Sequence, residues 1–278
     1  MARPRLGIDV GGTKLLVLAQ WPERRIVERA PTGAGFTGRD LDDVLARFVE
    51  GLETAPEAAG VAVPGLVGPD GAVLASDVLP GLVGWQAREL ARICPARILN
   101  DVEAAALEEL HDLPAGETAA VVMAGTGIGA AFVVDGRLFR GARGWAGELG
   151  YIPVAGPERV STLDELASGA GLLRRLGGDA AEVLGRAAAG EPAVVAALRA
   201  AGEALGLGLA TVINLLNPSL LALGGGAPEL PGYLEAARQA AERQSLPELW
   251  RACEVRRVRQ GELTAALGAL RASTAELV

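Results

Sequence analysis

Lysine is nearly missing from this chain: of 26 basic residues, only Lys14 is not arginine. Asparagine occurs three times (Asn100, Asn214, Asn217), cysteine twice (Cys94, Cys253) and histidine once, at His111. Two cysteines exclude a disulfide framework and fit a reducing compartment. Two scattered cysteines and one distant histidine also fall short of the four Cys/His ligands that a structural zinc requires, so no zinc is expected. No uninterrupted apolar run reaches about 18 residues, which excludes a membrane span on sequence grounds. Arg3 and Arg5 before an apolar stretch imitate a signal peptide, but Asp9 and Lys14 interrupt that stretch and Gly11-Gly12 breaks it. An excess of positive charge is lacking too: the net charge is −8, which argues against a global nucleic-acid footprint. These absences read together as a soluble cytoplasmic protein. Arginine does not replace lysine where a compact point charge must meet a phosphate, so the positions of Lys14 and Asn100, both inside motifs, carry weight.

What is present is core-forming material. Half of the 278 residues are hydrophobic and 22% are charged, which excludes disorder. At about 150 residues per domain, the length suits two domains or one large one. Residues 5–20 read as strand, glycine turn, strand, and residues 117–139 repeat that pattern with a further hairpin at Asp135-Gly136. Leu41, Val44, Leu45, Phe48 and Leu52 fall on one helical face, giving a helix over 40–58. Strands are expected at 61–67, 96–101 and 219–226. Helices are expected at 86–93, 102–110, 161–176, 179–189, 191–216, 231–244 and 261–276. The repeat reads as a duplicated α/β unit, with residues 1–112 as an N-terminal domain, 113–261 as a C-terminal domain, and a C-terminal helix at 262–278 packing back on the first.

Three glycine turns suggest phosphate chemistry. In Asp9-Val10-Gly11-Gly12-Thr13-Lys14, glycines let the backbone approach an anion, Thr13 adds a hydroxyl and Lys14 a cation, and Asp9 suits Mg²⁺ through water. The segment is neither a P-loop nor a dinucleotide fingerprint, because GxxxxGK[ST] is absent and strand character follows; an ordinary tight hairpin is the competing account. Gly125-Thr126-Gly127-Ile128-Gly129 repeats the arrangement at the head of the second half. Gly224-Gly225-Gly226 follows a buried strand, where ligands of open α/β sheets bind. Two such turns, each opening one half of a duplicated chain, suit the clamping of one polyphosphate from both sides.

These stretches together with VPGLV (63–67), LNDVEAAALEE (99–109), GTGIGAAFVVDGRLFRGARGWAGELGY (125–151), LDELASG (163–169) and GALRA (268–272) resemble the ROK family (repressors, open reading frames and sugar kinases) over nearly the whole chain. The resemblance implies a two-domain actin-like ATPase fold, that is, a duplicated ribonuclease H-like α/β fold with an interdomain cleft. It implies phosphoryl transfer from ATP-Mg²⁺ to a sugar hydroxyl. Gly11, Gly12, Thr13 and the turn of Gly125, Thr126, Gly127 and Gly129 would hold phosphates, and Gly224, Gly225 and Gly226 with the 264–269 region would border the adenosine. Asn100 would orient the sugar, Asp101 would accept the hydroxyl proton, and Gly65 and Glu148 would lie at the sugar. A sugar hydroxyl is a weak nucleophile and needs a positioned base, while most catalysis in phosphoryl transfer is positioning and charge stabilisation; the alternative role for Asp101 is the N-cap of the 102–110 helix.

The chain departs from the family on the sugar side. The Cys-rich zinc loop is missing, Tyr151 stands where the family has histidine, and Asp164 stands where it often has a sugar-contacting glutamate. Asp77 falls near a usual asparagine. His111 suits a helix C-terminus, and Trp85 and Trp145, in glycine-rich loops, suit either sugar stacking or packing. The leading reading is a glucokinase-like hexose kinase. The alternatives are an amino-sugar kinase for N-acetylmannosamine or N-acetylglucosamine, and a non-catalytic sugar sensor. The first strand starts by residue 5, so no DNA-binding helix-turn-helix is expected ahead of it, and the partners are a small sugar and ATP, with no nucleic acid and no membrane. The resemblance also implies a homodimer.

Overall fold

Alternation of side chains along β1 (Arg5–Val10) sets the architecture of the first half. Leu6, Ile8 and Val10 point to one face of the sheet and are fully buried; Gly7 lies on the other face. A computed structural model describes residues 2–155 and 159–274, which sort into two compact units: 2–112 with 140–145 and 262–274, and 113–139 with 146–155 and 159–261.

In the first unit, β1 is followed by β2 (Lys14–Gln20), β3 (Arg25–Pro31), α1 (Gly38–Glu50), β4 (Ala58–Val63), β5 (Leu66–Val67), β6 (Val73–Ala75), α2 (Arg88–Ala91), β7 (Ala96–Asn100) and α3 (Asp101–Glu109). Five of these strands form a sheet in the order β3-β2-β1-β4-β7, with β1, β4 and β7 mutually parallel. One face packs Leu6, Ile8, Val10, Leu15 and Val17 against Leu41, Leu45 and Phe48 of α1. The other face receives the C-terminal helix. Two glycines admit it: a Cβ on Gly7 would stand 2.1 Å from Ala266 O, and one on Gly60 1.8 Å from Ala269 O.

The second unit contains β8 (Ala119–Ala124), β9 (Ile128–Val134), β10 (Arg137–Phe139), β11 (Pro153–Ala155), β12 (Val160–Thr162), α4 (Leu163–Ala167), α5 (Gly169–Leu176), α6 (Ala180–Ala188), α7 (Pro192–Leu216), β13 (Leu220–Gly224), α8 (Tyr233–Gln244), α9 (Pro247–Ala252) and β14 (Glu254–Arg257). Its sheet runs β10-β9-β8-β13-β14, with β8, β13 and β14 parallel. The chain then closes with α10 (Thr264–Ala272) in the first unit. Helix α7 is long and apolar enough to cross a membrane by length and composition. One face of it is core, however: Val194, Leu198, Leu205, Leu209 and Ile213 are fully buried in the hydrophobic cluster of the second unit, while Val195 and Leu215 are exposed.

Several sequence expectations shift. The helix placed at 40–58 stops at Glu50, where Gly51 caps it and β4 takes over from Ala58. The helix placed at 161–176 is two, because Ser168 adopts extended geometry and its hydroxyl accepts from Gly171 N at 3.0 Å, restarting the helix as α5. The polar strand β3, the short helix α9 and the edge strand β14 lack strong periodicity, so no sequence pattern announces them. Residues 140–145 cluster with the first unit, where Arg140 pairs with Glu103 at 3.3 Å and Trp145 Nε1 donates to Val67 O at 3.3 Å. Residues 275–278 of the C-terminal segment, and 156–158 of the segment that stands in place of the family's zinc loop, lie outside the described residues.

Candidate active site

In the first unit, three loops meet because three parallel strands end side by side. Register pairs Asp9 of β1 with Ala62 of β4, and Val63 of β4 with Asn100 of β7. The Gly11–Thr13 turn, the Pro64-Gly65 turn and the Asn100-Asp101 pair therefore leave the sheet at one edge, the place where open α/β sheets bind ligands.

Each of these loops is held. Gly11 N donates to Lys14 O at 2.9 Å, closing the turn. Thr32 Oγ1 donates to Gly11 O at 2.6 Å and Thr32 N to Thr13 O at 3.1 Å, so the end of β3 braces the turn. Nothing in the local sequence around Thr32 announces that role. Gly65 has φ +130° and stands where a Cβ would lie 2.1 Å from Ala75 O, so glycine is required there on both counts. Asn100 Nδ2 donates to Gly65 O at 3.1 Å, tying two loops together.

The alternative role for Asp101, as helix N-cap, falls to its neighbour. Asn100, not Asp101, is the N-cap of α3: its Oδ1 accepts from Val102 N at 2.8 Å and Glu103 N at 3.2 Å. Asp101 is the first helical residue, with Oδ1 accepting from Val102 N at 2.9 Å. It is half-buried.

Lys14 and Asp9 carry the electrostatics. Lys14 Nζ donates to Glu262 Oε2 at 2.6 Å, and Arg29 binds the other oxygen of the same carboxylate. These two cations hold Glu262 down at a pKa of about 2, through hydrogen bonds from Arg29 and then Lys14. The cation read from the motif is thus paired within the fold, and Glu262 is a site-adjacent residue that the sequence did not reveal. Burial pushes Asp9 up to about 6, with the nearby Lys14 charge opposing the rise.

In the second unit, the glycine turns again lie side by side. Gly224 of β13 pairs with Met123 of β8, and a Cβ on Gly225 (φ +89°) would stand 2.2 Å from Ala124 O. The 224–226 turn therefore rests on the root of the 125–129 turn. A Cβ on Gly125 or Gly226 would meet no atom within 4 Å among the described residues, so both turns have an open face, as a nucleotide lying on backbone needs. Thr126 and Gly127 form the tip of the first turn, closed by Gly125 N donating to Gly127 O at 2.8 Å, and Gly129 pairs with Met123 in the ladder.

Glu148 precedes a 3₁₀ turn, Leu149–Tyr151, which lies along the start of β9; Ala130 N donates to Gly147 O at 2.8 Å. Tyr151 is 59% exposed. Asp164 directs Oδ1 at Ile128 N, 2.6 Å away, inside the glycine turn. The structure thus brings Gly125–Gly129, Gly224–Gly226, Glu148, Tyr151 and Asp164 into one unit, and Asp9, Gly11–Lys14, Gly65, Asn100 and Asp101 into the other.

The remaining candidates resolve into structure. Trp85 is buried, packs on Gly38 and donates Nε1 to Asp42 Oδ1 at 3.1 Å, so it is a core residue. His111 Nδ1 lies 2.6 Å from Glu108 O at the end of α3. Cys94 and Cys253 are buried free thiols in different units, and among the described residues no group of three or more His, Cys, Asp or Glu side chains could hold a metal.

Paired sheets of this topology, each delivering a glycine hairpin, define an actin-like ATPase fold. The ROK family model matches residues 5–275, and the chain belongs to that family. It is 33% identical over 251 residues to a protein of Brucella melitensis biotype 1 named bifunctional enzyme NanE/NanK; the match takes in 85% of this chain and 48% of that protein, so the chain spans about half the length of that relative. It is 32% identical over 253 residues to the N-acetylmannosamine kinase of Citrobacter koseri, covering 84% of this chain and 87% of the relative. Among solved structures, the ROK hexokinase from Thermus thermophilus superposes with a TM-score of 0.75 at 30% identity, covering 97% of both chains.

Proposed function

We propose that this protein is an ATP-dependent sugar kinase, cytoplasmic, with N-acetylmannosamine as its substrate. The observation that carries the reaction class is the meeting of the Gly11–Thr13 turn with the Asn100-Asp101 pair at the ends of β1, β4 and β7. Kinship with proteins named N-acetylmannosamine kinase, which align along most of this chain, supports the choice of sugar. The likeness to a hexokinase at similar identity supports a hexose such as glucose as the second reading.

The residues fit the nucleotide. Gly11, Gly12, Thr13 and the Gly125–Gly129 turn offer backbone and hydroxyl donors of the kind that receive phosphates, and Gly224–Gly226 offers an open backbone surface for the adenosine. Asp9, a carboxylate beside the first turn, suits Mg²⁺ held through water. When bound, ATP-Mg²⁺ supplies the phosphoryl group. The chain's own work is positioning and proton transfer. Asn100 locks the sugar-side turn through Gly65 and fixes the start of α3. Asp101, set on the first turn of that helix, accepts the proton of the attacking hydroxyl. Glu148 and Tyr151 contact the sugar; Tyr151, in place of histidine, keeps one hydroxyl for hydrogen bonding.

The test is ADP release with ATP-Mg²⁺ across N-acetylmannosamine, N-acetylglucosamine, glucose and mannose, against a sugar-free blank. N-acetylmannosamine is expected to give the highest kcat/KM. Glucose as the best substrate selects the hexokinase reading, and no sugar-dependent ADP release with any of them refutes kinase function on these sugars.

A further inference from the structure

Beyond its ladder pairing with β8, the turn at Gly125–Gly129 is tied by three hydrogen bonds to one neighbouring segment, residues 164–170. Gly169 N donates to Gly125 O at 2.8 Å, and Ala170 N donates to Thr126 O at 3.2 Å, so the start of α5 takes two turn carbonyls. The third anchor is a side chain: Asp164 Oδ1 accepts from Ile128 N at 2.6 Å. The donors these anchors do not use are the amides of Thr126 and Gly127 and the Thr126 hydroxyl, the groups a phosphate would want.

The same carboxylate also touches the Glu148–Tyr151 segment. A Cβ on Gly150 would stand 2.6 Å from Asp164 Oδ1 and 2.5 Å from Ile128 O, so the backbone of Gly150 is pressed against the Asp164–Ile128 pair. Gly150 lies two residues from Glu148 and one from Tyr151. Asp164 itself is fixed at the start of α4, whose cap is the Thr162 hydroxyl accepting from Glu165 N at 3.2 Å. Its short side chain spans the gap to Ile128 N. A carboxylate acceptor also makes a stronger hydrogen bond than a neutral one.

We infer that Asp164 is a positioning residue that sets the Gly125–Gly129 turn and couples it to the Glu148–Tyr151 segment, instead of being a sugar ligand. The inference deepens the kinase reading and rests on it for the role of the turn. Its consequence runs against what the family resemblance implies: altering Asp164 acts first on nucleotide affinity.

The experiment is calorimetric binding of MgADP, and separately of N-acetylmannosamine, to the wild type, Asp164→Ala and Asp164→Asn. Loss of a charge-assisted hydrogen bond at the turn predicts that Asp164→Ala raises the Kd for MgADP about tenfold to a hundredfold. Sugar Kd is expected to stay within about threefold on the same scale. Asp164→Asn keeps an acceptor oxygen for Ile128 N and is expected to recover most of the MgADP affinity. The Ile128 amide, followed by hydrogen exchange without any ligand, is expected to lose protection in Asp164→Ala and keep it in Asp164→Asn. Should Asp164→Ala fail to fold, Asp164→Asn still decides. Near-normal MgADP binding and Ile128 protection in Asp164→Asn uphold the inference, and a tenfold loss of sugar affinity with nucleotide binding unchanged overturns it. Equal MgADP affinity in wild type and Asp164→Ala also overturns it. A wild type that binds no MgADP removes the kinase reading and this inference with it.

Discussion

The packing of α10 can be tested with one methyl group. Gly268 lies mid-helix in α10, where a Cβ would stand 1.6 Å from Ala104 O and 2.4 Å from Ala104 C on α3. That gap has to open to at least 3.0 Å, and the obstacle is backbone on both sides, so no rotamer change relieves it. In an exposed helix the change from glycine to alanine stabilises by about 1 kcal/mol. Forcing a methyl into a packed core costs about 1–3 kcal/mol, and more when backbone has to move. The displaced helix also loosens Ala62, Leu99, Ala265 and Ala269, which share that interface. We therefore expect Gly268→Ala to destabilise the protein by about 2 kcal/mol net, the upper end of the cost less the propensity gain. Gly185, mid-helix in α6 with no atom within 4 Å of its Cβ position, is the control. There the same substitution should stabilise by about 0.5–1 kcal/mol. Urea unfolding followed by tryptophan fluorescence and far-UV circular dichroism reads both. Gly268→Ala equal to or more stable than wild type refutes the close approach of α10 to α3.

Three further outcomes follow from the site. Asp9, raised from 3.8 to about 6 by burial, binds a proton more readily folded than unfolded, so its penalty is absent below about pH 4, grows as pH rises to 6 and persists above. Asp9→Asn should gain stability over wild type across that window in magnesium-free buffer, by at most about 3 kcal/mol at 1.36 kcal/mol per pKa unit; an equal stability difference at pH 4 and pH 7 counts against the burial argument. Asp101→Ala should lower kcat by at least about a hundredfold, the scale of a lost general base, with an unchanged circular dichroism spectrum; retained turnover removes Asp101 as the base. Elemental analysis of untagged protein should find far less than one zinc per chain, and a stoichiometric zinc lost to chelator would contradict the ligand count.

Much of the fold was legible because its signals are local. Leu6, Ile8 and Val10 alternate along β1, and Leu41, Leu45 and Phe48 repeat at helical spacing in α1, so periodicity alone assigns both. The glycine hairpins and the Asn100-Asp101 pair were likewise visible as residue types in order, and their order along the chain sufficed to identify the family. Other features depend on residues far apart in sequence. Thr32 braces Gly11, Glu262 takes the charge of Lys14 across 248 positions, and Asp164 turns toward Ile128, 36 residues before it. None has a local pattern, since each is one polar residue whose partner arrives only when strands pair and helices dock. The same holds for Gly7, Gly60 and Gly268: the sequence records only the missing side chain, and the backbone that fills its place belongs to an element brought there by tertiary packing.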